Sequence, residues 1–114
     1  MNTIAGIRIT PKGYIEALVL DDSNLLQSLY GAIDCELIQV MELRDQITAI
    51  FDEEGRLTGA EPNVMATVIA ETLGFRFLPR DYLCGSVIFL GFTPEGQHVS
   101  LTLEQRRAVL LPTE

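Results

Sequence analysis

Histidine and cysteine, which often act as nucleophiles, bases or zinc ligands, are few in this 114-residue chain, and they stand apart from one another. His98 is the single histidine, and Cys35 and Cys84 belong to no CxxC or Cys/His spacing. A serine or cysteine nucleophile needs a base within hydrogen-bond reach, and zinc needs several ligands around one ion. The sequence therefore predicts no catalytic residue, no metal site and no cofactor. We expect His98 on the surface or an edge strand, and both cysteines as buried thiols.

An acidic segment in the middle of the chain raises the question of calcium binding, because four carboxylates lie around two glycines: Asp52, Glu53, Glu54 and Glu61. An EF-hand loop needs alternating Asp or Asn ligands and a distal bidentate Glu. This segment has neither feature, so we interpret it as a solvated acidic turn.

Anion binding is the chemistry that the arginines favour. Arg76 and Arg80 flank three aromatic residues, Phe75, Phe77 and Tyr82. Guanidinium groups pair bidentately with phosphate, and aromatic rings stack on bases. Asn63 and Thr67 lie in the first turn of a predicted helix, whose N–H groups favour an anion. The candidate ligand-binding residues are therefore Asn63, Thr67, Arg76 and Arg80. In the alternative interpretation, which is the commoner arrangement, the rings fill the core and the arginines pair with nearby acids.

Composition limits the classes of partner. Sixteen acidic and eight basic residues give a net charge of −8, which repels nucleic-acid backbones and anionic lipid headgroups. We therefore expect no direct nucleic-acid binding and no membrane association. The start of the chain has no secretory signal pattern and no apolar run approaches about twenty residues, so we expect a cytoplasmic protein.

The apolar content suggests self-association. Apolar residues make up 47% of a 12.6 kDa chain with a mean hydropathy of +0.23. A single small domain spanning residues 1–114 has a large surface for its volume, so part of this apolar surface is expected to meet another subunit in a homo-oligomer. The alternative is a core that is simply rich in Leu, Ile and Val.

Local signals predict the elements that would position these residues. Residues 3–10 and 14–20 read as strands joined by a Pro-Lys-Gly turn, and residues 32–43 and 46–51 read as a second hairpin. Helices are predicted over residues 24–30, ended by Gly31, and over residues 62–73, with Pro62 at the first helical position. The second helix carries an apolar stripe of Met65, Val68, Ile69 and Leu73.

The C-terminal part repeats the same order. Residues 82–92, interrupted at Gly85, and residues 97–101 are predicted strands. Thr102 and Gln105 form a capping-box pattern that starts a helix over residues 103–110, before Pro112 stops it. The fold class is therefore α+β: a mostly antiparallel or mixed sheet with about three helices in ββα-ββα-ββα order, with the helices on one face of the sheet.

The spacing of five short motifs resembles a known family. They are residues 15–19, the turn of residues 52–55, Glu61-Pro62-Asn63 with Ala66-Thr67, residues 83–87, and residues 100–102 with Gln105. In these motifs the chain, from about Tyr14 onward, is similar to the domain of unknown function 3846, whereas strand 3–10 looks like an addition. The resemblance implies a small accessory protein of phages, plasmids and other mobile elements, with no assigned activity and no catalytic residues to carry over.

Three functional hypotheses follow. The first is a non-enzymatic accessory domain that acts by binding a protein partner, either a host protein or its own copy. The second is sequestration of a small anionic nucleotide signal between subunits, as an anti-defence protein, through the four candidate residues. The third is an acidic mimic of DNA that blocks a DNA-handling enzyme, which depends on screened charge.

Overall fold

The computed structural model describes residues 2–111 and places six strands, four α-helices and two short 3-10 turns in that range. Their bounds are β1 Thr3–Ile9, β2 Ile15–Asp21, α1 Leu25–Ile33, β3 Ile38–Glu42, β4 Ile47–Asp52, α2 Gly55–Thr58, α3 Val64–Thr72, β5 Val87–Phe92, β6 His98–Val99 and α4 Leu103–Leu110. The mixed α+β class and the ββα-ββα-ββα order are confirmed, with α2 as one additional turn. The predicted stop at Pro112 lies outside the described residues.

The strands form one antiparallel sheet in the order β2-β1-β5-β4-β3, and β6 also pairs with β5. Both predicted hairpins are present: β1 pairs with β2 over seven residues, and β3 pairs with β4 over five. The first turn closes at Gly13, whose φ of +89° is a conformation that glycine adopts without strain. The late strand β5 joins the two hairpins by pairing with both β1 and β4.

Helices cover both faces of the sheet, so the expectation of helices on one face was wrong. One core lies under α3 and α4 and contains Ile7, Ile9, Ala49, Val87 and Phe89. The other lies under α1 and contains Ile4, Leu20, Leu29, Ile50 and Ile88. The reason is that β4 and β5 are buried at nearly every position, so each of their faces needs cover.

Several predicted boundaries shift. Helix α1 passes through Gly31 and ends at Asp34, whose φ is +64°. Gly31 does not stop the helix, because its own position has open space and helical geometry. Strand β3 is shorter than predicted, and β5 begins only at Val87, because Gly85 turns the chain at φ +76°. Helix α4 has the predicted bounds and a complete capping box.

Helix α3 differs from its prediction in its start and in its buried face. It begins at Val64, so Pro62 lies before the helix and forms an isolated bridge with Cys84. The buried side consists of Ala66, Ile69, Ala70 and Leu73. Met65 and Val68, two members of the predicted apolar stripe, are exposed. The buried residues and the predicted stripe both have helical spacing. The side that contains the two alanines is the one that packs on the sheet, because small side chains let the helix approach closely.

Candidate functional site

Asn63 fixes the start of α3 and thereby the orientation of the whole helix. Its side chain is fully buried, and its Oδ1 accepts a hydrogen bond from the Ala66 N–H at 3.0 Å as an N-cap. Its Nδ2 donates to the carbonyl oxygens of Ile9 at 2.9 Å and Gly85 at 2.8 Å. One amide therefore ties α3 to the end of β1 and to the turn before β5.

Thr67 completes this buried polar network. Its Oγ1 donates to the Asn63 carbonyl at 2.8 Å and accepts from the Leu83 N–H at 2.9 Å, while the Asn63 N–H donates to the Leu83 carbonyl. The hydrogen-bonding groups of Asn63 and Thr67 are thus directed into the fold. Asn63, Thr67 and Glu71 follow one another at intervals of four residues, and they differ in burial: the first is buried, the second half-buried and the third exposed.

The outer side of α3 is apolar and uncovered by the described residues. Val64 is 69% exposed, Met65 39% and Val68 42%. They border an apolar groove of about 500 Å³ between α3, the β1–β2 turn and the end of α4, lined by Pro11, Lys12, Gly13, Ile15, Val64, Met65, Val68, Ile69, Val109 and Leu110. An exposed apolar patch of this kind, with few polar groups, is typical of an interaction surface.

The groove continues past the ridge of α3. On the other side of Val64 and Val68 lies an apolar depression of about 400 Å³ that reaches Tyr82, which is 36% exposed. Lys12 is the one charged side chain that lines the groove. The surface is therefore broad, nearly uncharged and arranged along one helix, which suits an apolar face of another chain better than a small polar molecule.

A more polar cleft lies at one end of the sheet. Its volume is about 570 Å³, and it is lined by the β1–β2 turn, the end of α1, the loop after α2 and the turn before β5. Three carboxylates, Asp34, Asp52 and Glu61, and one cation, Lys12, contribute to its walls. The excess of negative charge disfavours a phosphate group in this cleft.

A third cavity, of about 200 Å³, has aromatic walls and Cys84 in its lining. At its rim Arg56 donates to Asp81 at 2.7 Å, and its guanidinium lies 4.6 Å from the centre of the Tyr82 ring. Burial raises the pKa of the Cys84 thiol, so its reactive thiolate is disfavoured at neutral pH. This cavity therefore offers packing and an exposed ion pair, with little nucleophilic character.

The structure does not gather the four predicted ligand-binding residues into one cavity. Arg76 and Arg80 are exposed on the loop after α3, and neither contributes to the walls of the groove or of the two clefts. Phe75 and Phe77 pack against the core, as the alternative interpretation expected. The arginine that pairs with an acid and stacks on an aromatic ring is Arg56, which sequence reasoning missed because its partners are about 25 residues away.

His98 is half-buried on the short strand β6, and its Nδ1 has no hydrogen-bond partner among the described residues. Burial lowers its pKa. Residues 2–111 contain no group of three or more His, Cys, Asp or Glu side chains placed to share a metal ion. Over the same range, every helix falls short of the length and apolar character that a membrane crossing needs.

Comparison with known proteins gives one match. The model of a family described as Domain of unknown function (DUF3846) matches residues 4–111. No curated protein and no solved structure matches the chain. The matched range begins inside β1, so this strand is part of the family pattern and the expectation that it is an addition was wrong.

Proposed function

The chain belongs to the DUF3846 family, and we propose that it is a non-enzymatic interaction domain that binds a protein partner through the apolar groove beside α3. One observation carries this proposal: α3 exposes Val64, Met65 and Val68 although its opposite side is already fully packed on the sheet. Exposing three large apolar side chains on one helix is unfavourable in water, and a partner that covers them removes that penalty.

The shape of the groove favours an amphipathic helix as the bound element. The groove runs beside α3 between the β1–β2 turn and the end of α4, and apolar anchors three or four residues apart on a partner helix match such a site. The net charge of −8 favours a partner that is basic around its apolar stripe. In a mobile element, such a domain acts as an accessory protein by occupying a host protein.

The chemistry of the titratable groups supports binding without catalysis. Both thiols have a raised pKa because of burial, and His98 has a lowered pKa for the same reason. Among the side-chain hydrogen bonds of residues 2–111, the one hydroxyl that donates to a carboxylate is Ser23 Oγ, which bonds Asp21 Oδ1 at 2.7 Å in an exposed turn where Asp21 is the N-cap. Turnover of a substrate by the purified protein, abolished by one substitution that leaves the fold intact, would contradict this part of the proposal.

The two other hypotheses have weaker support. Sequestration of an anionic nucleotide would use Asn63 and Thr67, whose hydrogen bonds are already made within the fold, together with two arginines outside the cavities. Mimicry of DNA has the negative charge in its favour and no particular feature of the described surface. Both remain predictions that thermal-shift assays with nucleotides and salt-dependent binding to DNA-handling enzymes test directly.

Two matched lysine substitutions test the groove. Val68→Lys places a charge in the groove, and Val40→Lys places the same charge on β3 at a position of equal exposure, 42%. The wild-type protein is first used to capture its partner from an extract of the organism that carries the gene, and the captured partner is then purified. Its binding to the wild type and to each variant is measured. We expect Val68→Lys to weaken its binding by about tenfold or more, because a buried unpaired charge is costly.

Val40→Lys is expected to leave the binding unchanged. Equal binding by wild type and Val68→Lys, measured with purified components, would refute the groove as the binding site. Circular dichroism of both variants checks that the fold is retained.

A further inference from the structure

Strand β2 is an open edge of the sheet. The sheet order places β2 and β3 at the two edges, and β1 pairs with only one side of β2, along all seven of its residues. No other strand in residues 2–111 pairs with its outer side. A long apolar edge with free N–H and C=O groups is a template for pairing with another strand.

The hydrogen-bond phase of β2 follows from its ends. The Tyr14 carbonyl accepts from Thr10, and the Asp22 N–H donates to the Asn2 carbonyl, so even-numbered residues turn their backbone groups towards β1. Because the direction alternates along a strand, odd-numbered residues direct theirs outward. The Asp21 N–H agrees with this phase, since it points away from β1 and donates to Ser28 Oγ at 3.2 Å. The outward groups are therefore those of Ile15, Ala17 and Val19.

The same three residues expose apolar side chains. Ile15 is 49% exposed, Val19 is 66% exposed, and Ala17 is exposed between them. They lie on the face of the sheet that carries α3 and α4, beside the outer edge that those helices leave uncovered. The opposite edge differs, because β3 has only five residues and exposes the polar side chains of Gln39 and Glu42. Polar and charged side chains protect an edge from pairing, and on this face β2 has such a side chain only at its end, Asp21.

We propose that β2 pairs with β2 of a second copy of the chain, antiparallel across a two-fold axis, with Ala17 opposite Ala17. In this register Ile15 of each copy faces Val19 of the other. Each opposed pair of odd-numbered residues joins two outward-facing residues that exchange two hydrogen bonds. The resulting interface is isologous, as in most homodimers.

Charge disfavours a neighbouring register. With Ala17 on the axis, Glu16 lies opposite Leu18 on the other face of the sheet, where its own Arg8 pairs with it at 2.7 Å. A shift of one residue in each copy, with Glu16 on the axis, would oppose two carboxylates. The opposite shift would bring Ile15 against Asp21, whose N–H already donates to Ser28.

The β2 edge and the groove beside α3 share Ile15, and the tests separate the two surfaces through residues that belong to only one of them. Sedimentation velocity over a concentration series is expected to give a wild-type species with the mass of two 12.6 kDa chains. Val19→Lys is expected to raise the dimer dissociation constant by about tenfold or more, because pairing would bury its charge. Val40→Lys, on the other edge, and Val68→Lys, in the groove, are expected to leave the dimer intact.

Cysteine substitutions test the register. Ala17→Cys is expected to form an intermolecular disulfide under mild oxidation, because opposed Cα atoms in a hydrogen-bonded pair lie about 5.5 Å apart, within disulfide range. Val19→Cys is the control, since its two copies would lie about 13 Å apart along the strands. The wild type, with Cys35 and Cys84, gives the background.

Three results would overturn the proposal. They are a monomeric wild type up to about 100 µM, a dimer that Val19→Lys leaves unchanged, and cross-linking of Val19→Cys that is as fast as that of Ala17→Cys. A monomer whose β2 edge instead binds a strand of another protein falls under the first result.

Discussion

The buried amide of Asn63 provides the sharpest test of how this fold is held together. In Asn63→Ala, the helix cap on Ala66 is lost, which costs about 1 kcal/mol. The carbonyls of Ile9 and Gly85 also lose their side-chain donors in a buried environment, at about 1–1.5 kcal/mol each. We therefore expect a loss of about 3–4 kcal/mol, a large part of the roughly 5–15 kcal/mol that stabilises a typical domain.

Thermal unfolding and urea titration measure this loss. For a chain of this length, 1 kcal/mol corresponds to about 4 °C, so Asn63→Ala is expected to lower Tm by about 12–16 °C. Asn24→Ala is the matched control, because Asn24 occupies the N-cap position of α1 and makes no capping hydrogen bond through its side chain. Its expected effect is below about 0.5 kcal/mol.

The pH dependence of the stability of Asn63→Asp tests the same reasoning. The introduced carboxyl keeps the cap acceptor but faces two carbonyl oxygens in a buried site, so its pKa in the folded state is raised. Stability of this variant is therefore greatest at low pH and falls as pH rises through the raised pKa. If Asn63→Ala costs less than about 1 kcal/mol, or if Asn63→Asp shows no such pH dependence, the amide does not hold α3 in the way argued.

Two further predictions concern the sheet. His98 has a lowered pKa in the folded state, so the stability of the wild type is expected to decrease as pH falls through 6.5, the ordinary pKa of histidine, and to level off below the folded pKa. Urea titrations at pH 8 and pH 5.5 measure this decrease, and His98→Gln should reduce the difference in stability between the two pH values. Gly6→Ala would place a Cβ 2.6 Å from the Phe89 carbonyl oxygen, and we expect about 1–3 kcal/mol of destabilisation by the same assay. Gly31→Ala, in open space within α1, is the control and is expected to stabilise the fold by about 0.5–1 kcal/mol; equal effects at the two glycines would refute the close approach of β1 to β5.

The sequence predicts the features that depend on residues close together in the chain. The capping box of Thr102 and Gln105 gives α4 its bounds, and the turn that ends at Gly13 gives the first hairpin. The role of Asn63 could not be predicted, because its amide partners Ile9 and Gly85 are 54 and 22 residues away. The same holds for the central place of β5 in the sheet, between β1 and β4.

The exposed apolar side of α3 was missed for a different reason. Nearly every position of α3 is apolar or small, so periodicity alone does not say which side meets the sheet.

The position of β5 also determines when the protein can fold during synthesis. The two hairpins share no direct strand pairing, and residues 87–92 supply the strand that joins them. At about 5–20 residues per second, a ribosome completes β1 several seconds before it makes β5. Until then, the nascent chain contains two hairpins whose inner edges have unpaired backbone groups. Chaperone binding is therefore most favoured during this interval.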